Sequence, residues 1–168
     1  MAQPRFLGAA AAAALLILAV AVPGSGTPAG GVLSAPILAR GDFAGRVDVK
    51  FKLETAQGTI VANAPAAADV VMQEVTIAAG GTTGWHSHPG PVVVIVKTGA
   101  LTFVQEEMGA CTSTVYPAGS AFVDSGQGHV HKAVNETAGN LVLLATYFDV
   151  PVGTSPRIDA DRDRKSVV

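Results

Sequence analysis

A single cysteine, Cys111, is the whole thiol content of this 168-residue chain. One thiol closes no intramolecular disulfide, and no cysteine follows the apolar N-terminal run, which excludes a lipid-anchored lipoprotein. Cys111 lies in a Gly-Ala-Cys-Thr-Ser stretch and reads as a small, half-buried residue in a turn leading into a strand. Charge is also scarce. Charged residues make up 14%, and the 11 Lys and Arg are scattered without a basic stripe or interleaved aromatics, which argues against binding nucleic acid. Helical periodicity is missing: no stretch after residue 40 keeps an apolar stripe at a 3.6-residue spacing. Disorder is excluded in turn, because a chain that is 49% hydrophobic at a formal net charge of -2 is too apolar to stay unfolded.

The residues present suggest one exported β domain. Arg5 precedes a small or apolar run from Phe6 to Val22, with small residues at Ala19 and Ala21. This pattern predicts a signal peptide over 1–21 and a secreted or periplasmic protein with no membrane contact after cleavage. The alternative is an N-terminal membrane anchor, since the run approaches the roughly 20 residues that span a bilayer. Residues 22–40 are rich in Gly, Pro and Ser and read as a flexible linker. Alternation of charged and apolar residues from Arg46 to Glu54 marks a half-buried strand, and Pro91 to Val96 reads as a strand buried on both faces. Further short β-rich stretches lie between Gly99, Gly109, Gly119, Gly126, Gly128 and Gly139, and Leu141–Phe148 follows the last. The expected fold is therefore all-β, a single sandwich or barrel over 41–150, with a polar tail over 151–168. Strand 46–54 is a candidate edge for a homodimer, although its charged face serves equally to block pairing.

All four histidines fall in two His-x-His pairs, His86/His88 and His129/His131. Side chains at i and i+2 of a strand point the same way, so each pair can aim two imidazoles at one point. Imidazole suits zinc, iron, copper and nickel, which makes one divalent transition metal the expected cofactor. The surrounding residues resemble the cupin family. Gly80-x5-His86-Ser87-His88-x3-Val92-x6-Gly99 follows the first cupin motif, and Pro117-Ala118-Gly119 with His131-x3-Asn135 follows the second. Eleven residues separate Gly119 from His131 where two are usual, and Asp124–Gly128 reads as a turn inserted between two strands.

The resemblance implies a jelly-roll-like cupin barrel with His86, His88 and His131 as metal ligands. His129 has the parity of a fourth ligand or of a partner behind them, and reads equally as a rim residue facing solvent. It implies that Asn135 supports the site from inside the barrel, which also disfavours glycosylation of the Asn135-Glu136-Thr137 sequon. Phe103 is a candidate pocket residue, while Trp85 has the parity of the outer face. Val92 stands where the family often has a metal-binding glutamate. A site of neutral imidazoles favours an anionic ligand and lacks the carboxylate that manganese prefers, so oxalate-type manganese cupins are poor guides. Asp124, Glu106 and Glu107 are other sources of a carboxylate, but acids at such positions are ordinarily solvated. The implied function is a metal-dependent enzyme, dioxygenase- or isomerase-like, acting on a small oxygenated or anionic molecule. A non-catalytic module that binds a metal or small ligand is the alternative.

Overall fold

The computed structural model describes residues 29–55, 58–107 and 110–161. Among them there are strands and turns but no helix. The expected export segment over 1–21 lies outside the described residues.

The frame of the barrel is a set of long antiparallel strands. β5 (Asp69–Thr82) pairs with β12 (Leu141–Val150), which pairs with β7 (Val92–Thr98), which pairs with β10 (Ala121–Asp124). On the other side of β5 lie β11 (His131–Val134), β6 (His86–Ser87) and β13 (Ile158–Asp159), and β8 (Ala100–Glu107) joins β11 to β9 (Ala110–Pro117). Alternation builds the core. Val71, Val75 and Ile77 of β5, Val92, Val94 and Val96 of β7, and Leu141, Leu143 and Ala145 of β12 all point inward. Each Val, Leu or Ile among them contributes roughly 1.5–3 kcal/mol on burial. The all-β expectation holds.

Three local expectations need correction. The Val92–Val96 run is buried on one face only: Ile95 is 44% exposed, because none of the described residues forms a second layer over the outside of β7. Cys111 is exposed on β9 rather than half-buried. The 22–40 linker is in part strand, since β1 (Gly30–Ser34) and β2 (Ile37–Gly41) both pair with β5. These two strands are almost wholly exposed, so they carry no buried apolar alternation and are held by backbone pairing. Arg40 then ties β2 to the chain beyond the barrel, with Nε 2.7 Å from Asp69 and its terminal nitrogens donating to the carbonyls of Pro151 and Thr154.

β3 (Val49–Thr55) and β4 (Gly58–Ala64) form a separate two-stranded hairpin, in keeping with the alternation of 46–54. β3 is fully paired with β4, and its Phe51 ring packs 5.6 Å from Phe148. Between β7 and β8 the chain turns on one residue, Gly99, whose φ of 80° favours glycine and where a Cβ would stand a tight 3.1 Å from the Asn140 carbonyl oxygen and the Leu141 Cα. That accounts for the last glycine of the first motif.

Asn135, expected to support the site, does something else. It is fully buried, its Nδ2 donates to the carbonyls of Ile77, Ala78 and Gly139, and its Oδ1 accepts from the Thr137 amide and hydroxyl. It does not line the histidine pocket. It sits where β11 leaves the barrel and joins that turn to β5, which also removes its amide from any glycosylation. Asn135→Ala strands several buried carbonyls, each worth about 1–3 kcal/mol. The expected result is a loss of about 3 kcal/mol or more of unfolding free energy, read as a lower urea midpoint with an unchanged m-value.

Candidate metal centre

Two short strands bring the imidazoles together. His86 on β6 and His131 on β11 are register partners, and their ring centroids are 4.5 Å apart. His88, two residues along from His86, places its ring 4.9 Å from His86 and 5.0 Å from His131. All three are buried, and one ring nitrogen of each lies within 4.8 Å of the others. The structure thus unites the three residues expected to be ligands.

The other edge of each ring is held by backbone. Nδ1 of His86 is 2.8 Å from the Gly84 carbonyl, that of His88 is 2.8 Å from the Pro156 carbonyl, and that of His131 is 3.2 Å from the His129 carbonyl. A carbonyl can only accept, so each Nδ1 carries the hydrogen and each Nε2 keeps a bare lone pair. Carbonyls that fix the tautomer in this way are the usual companions of metal-binding histidines. Burial, the largest cause in each case, lowers the pKa of all three rings. In His86 the neighbouring His131 and His88 lower it further, to well below the ordinary histidine value. His88 is lowered despite the opposing pull of Asp124, and His131 is lowered to about 4. Near neutral pH the cluster is three neutral nitrogen donors. That donor set fits a divalent transition metal.

Phe103 and Val92 line the same pocket, as expected, together with Leu101, Phe122 and Tyr147. The cavity is about 50 Å³, room for an ion with a water-sized or very small ligand. Trp85 does not line this pocket; it is buried elsewhere, with Lys132 Nζ 5.2 Å from its ring centroid.

His129 is not at the common point. The inserted turn passes through three successive residues of positive φ, Gly126, Gln127 and Gly128, and delivers His129 before β11 begins. At Gly126 a Cβ would collide with the Gly90 carbonyl, so only glycine lets the turn lie against the loop that follows His88. His129 Nδ1 instead donates to Asp124 Oδ1 at 2.6 Å.

Asp124 corrects the expectation of a solvated acid, since it is 3% exposed. Burial would raise its pKa, but the nearby His131, the hydrogen bond from His129 and the neighbouring His88 outweigh that and hold the carboxyl below its usual value. No single-sequence signal marked it, because its burial depends on β10 pairing with β7. Of the other two acids, Glu106 lies half-buried on β8 and belongs to no histidine cluster among the described residues, and the Glu107 side chain lies outside them.

The expected polar tail is also corrected in part. β13 pairs with β6, setting Asp159 opposite His86, and the Ala160 amide donates to the Trp85 carbonyl. With the Pro156 carbonyl on His88, this segment forms one wall of the centre.

A second, larger cleft of about 740 Å³ lies between the β3–β4 hairpin and the strands β8, β9 and β10. Leu53 and Ile60 face Tyr116, Phe122 and Phe103 across it, and Asp124 and His129 are at its end. Phe103 and Phe122, with ring centroids 5.1 Å apart, line both this cleft and the histidine pocket and so form the wall between them.

The two motifs thus occupy adjoining strands of one barrel, with their histidines converging. No protein-family model matches the sequence, and comparison with curated proteins yields no match. Among solved structures, the chain is similar to an oxalate oxidase at 27% identity, covering 48% of this chain and 41% of that one, with a TM-score of 0.43. It is similar to the polyketide cyclase RemF from Streptomyces resistomycificus at 19% identity, covering 54% and 60%, with a TM-score of 0.44. A cupin domain from Bordetella pertussis Tohama I aligns at 19% identity over 63% of this chain and 95% of that domain, with a TM-score of 0.41. The chain spans less than two thirds of the oxalate oxidase and of the cyclase. The described residues thus form an all-β barrel, and its two histidine-bearing motifs resemble those of the cupins.

Proposed function

We infer that this protein is exported and binds one divalent transition metal, zinc, iron, copper or nickel, through His86, His88 and His131, and that it acts as a metal-dependent enzyme on a small oxygenated or anionic molecule. The observation that carries the reading is the set of three buried rings, each with Nδ1 on a backbone carbonyl and Nε2 left to donate. An ion held there supplies Lewis acidity and a free coordination position, as in dioxygenase- or isomerase-type chemistry.

The remaining work belongs to this chain's own side chains. Val92, Leu101 and Phe103 line the pocket with apolar surface and limit water, which strengthens any charge interaction inside it. Tyr147 packs its ring 5.0 Å from His88 and donates its hydroxyl to Gln73, so the ring edge is held in place. Burial raises the Tyr147 pKa, which keeps the phenol protonated. The cavity of about 50 Å³ supports a ligand of very few heavy atoms in direct reach of the three nitrogens. His129 is engaged by Asp124 rather than aimed at the common point, and this favours a three-ligand site with an open position over a closed, non-catalytic one.

The test is direct. Isolated from the exported fraction, the protein is expected to begin at Val22 and to carry about one metal ion per chain. After cobalt or copper loading, azide should shift the visible absorption. A bound ion that ignores azide would move the reading to the non-catalytic alternative. A chain that binds no ion would end it.

A further inference from the structure

Val92 leaves the pocket without a carboxylate on its own strand, yet one stands directly beside it. In the pairing of β10 with β7, Asp124 is the register partner of Val92. Directly opposed residues of an antiparallel pair project from the same face of the sheet, with Cβ atoms roughly 4.5–5.5 Å apart. Both side chains therefore enter the barrel interior from neighbouring positions, and both are buried.

The Asp124 side chain reaches the histidines from behind. Its Oδ1 is 2.6 Å from His129 Nδ1 and 3.8 Å from His131 Nδ1, and its Oδ2 accepts the Gly126 amide at 3.3 Å. The Nδ1 edge of His131 thus faces both the His129 carbonyl and the Asp124 carboxylate. Negative charge at that edge makes the opposite nitrogen, Nε2, a stronger donor and offsets part of the charge of a cation bound to it. His129 covers the carboxylate: its ring, 25% exposed, lies over a group that is 1% exposed.

We propose that Asp124 is the positioning residue that supplies, from the strand beside Val92, the negative charge this histidine site otherwise lacks, acting through His131 and held in place by His129. The inference rests on His86, His88 and His131 binding a metal. It adds that a carboxylate at the cross-strand neighbour of position 92 acts from the rear of a ligand rather than by direct contact.

The experiment is a double-mutant cycle on the full mature chain, read as the affinity for Zn²⁺ alone by competition with a chromogenic chelator. The visible spectrum of the Co²⁺ form reports coordination. Asp124→Asn keeps the shape and removes the charge, and it is expected to weaken Zn²⁺ binding about 10- to 100-fold. Val92→Glu added to Asp124→Asn should return the affinity to within a few-fold of the parent, because it places a carboxylate on the same face at the opposed position. A purely structural role for Asp124 would not be rescued from the neighbouring strand.

Parent-like affinity in D124N overturns the proposal, and so does a folded D124N protein whose loss V92E fails to repair. If D124N does not fold, V92E and V92E/D124N carry the test. Equal affinity in that pair supports the proposal, and a loss of about tenfold or more in the double variant overturns it. A parent that binds no Zn²⁺ overturns the metal reading and this one together. A parent that binds Zn²⁺ and a D124N that binds it equally well overturns only this one.

Discussion

Replacing His131 with alanine is expected to weaken divalent-metal binding by about two to four powers of ten. Binding of a metal by a complete set of protein ligands is worth roughly 10–16 kcal/mol near neutral pH, so one of three nitrogen donors carries about 3–5 kcal/mol, and each 1.4 kcal/mol is tenfold. His131 touches four side chains. Its ring meets His86 and His88 at the common point, lies tilted 4.8 Å from Phe103, and has the Asp124 carboxylate at its far edge. His86→Ala and His88→Ala should show losses of similar size. His129→Ala should lose much less, because His129 touches Asp124 rather than the common point. Isothermal titration with Zn²⁺ separates these outcomes. Equal affinity for the H131A and parent proteins would remove His131 from the site.

Acid is expected to destabilise the metal-free protein well before ordinary carboxylates titrate. In the unfolded chain each buried histidine accepts a proton near pH 6.5. In the folded chain all three rings resist protonation, His131 until about pH 4, chiefly because burial penalises the charged ring. Between those values the unfolded state binds more protons, so stability falls as the pH falls. His131 alone accounts for a loss on the order of 3 kcal/mol across that window, against a total of about 5–15 kcal/mol for a typical domain. Asp124 works in a lower window. Its carboxyl is held below its usual value, so its contribution is complete above about pH 4 and is lost only in stronger acid. Urea unfolding in the presence of a chelator, followed from about pH 8 down to about pH 4, tests the sign. A flat midpoint over that range would contradict three buried neutral imidazoles, and His131→Gln should flatten part of the slope.

Much of the site was legible as spacing. A strand repeats every two residues, so His86 and His88 could be paired before any fold was known, and the second motif singled out His131. Gly99 was legible as the last glycine of the first motif, and its φ of 80° supplies the physical reason. His129 has the parity of a ligand but not its position. Parity applies only inside a strand, and β11 begins two residues later, after three residues of left-handed backbone. Strands β1 and β2 were invisible because exposed strands held by backbone pairing need no apolar alternation, and Gly, Pro and Ser then read as linker.

Asp124 shows most clearly where local pattern stops. Read along the chain, it is an acid at the start of a glycine-rich turn, and such acids are ordinarily solvated. What buries it is the pairing of β10 with β7, which sets it opposite a residue 32 positions earlier in the chain.

The sequence by itself determined the all-β class and the shared direction of His86 and His88, because alternation and short-range spacing are properties of the extended backbone alone. The choice of His131 came from the resemblance to the cupin motifs. Only the tertiary structure decided which carbonyls fix their tautomers, that the segment around Pro156 closes one wall, and that a carboxylate stands beside Val92. Those contacts join residues distant along the chain, and burial and hydrogen bonding act on distance in space rather than on order in sequence.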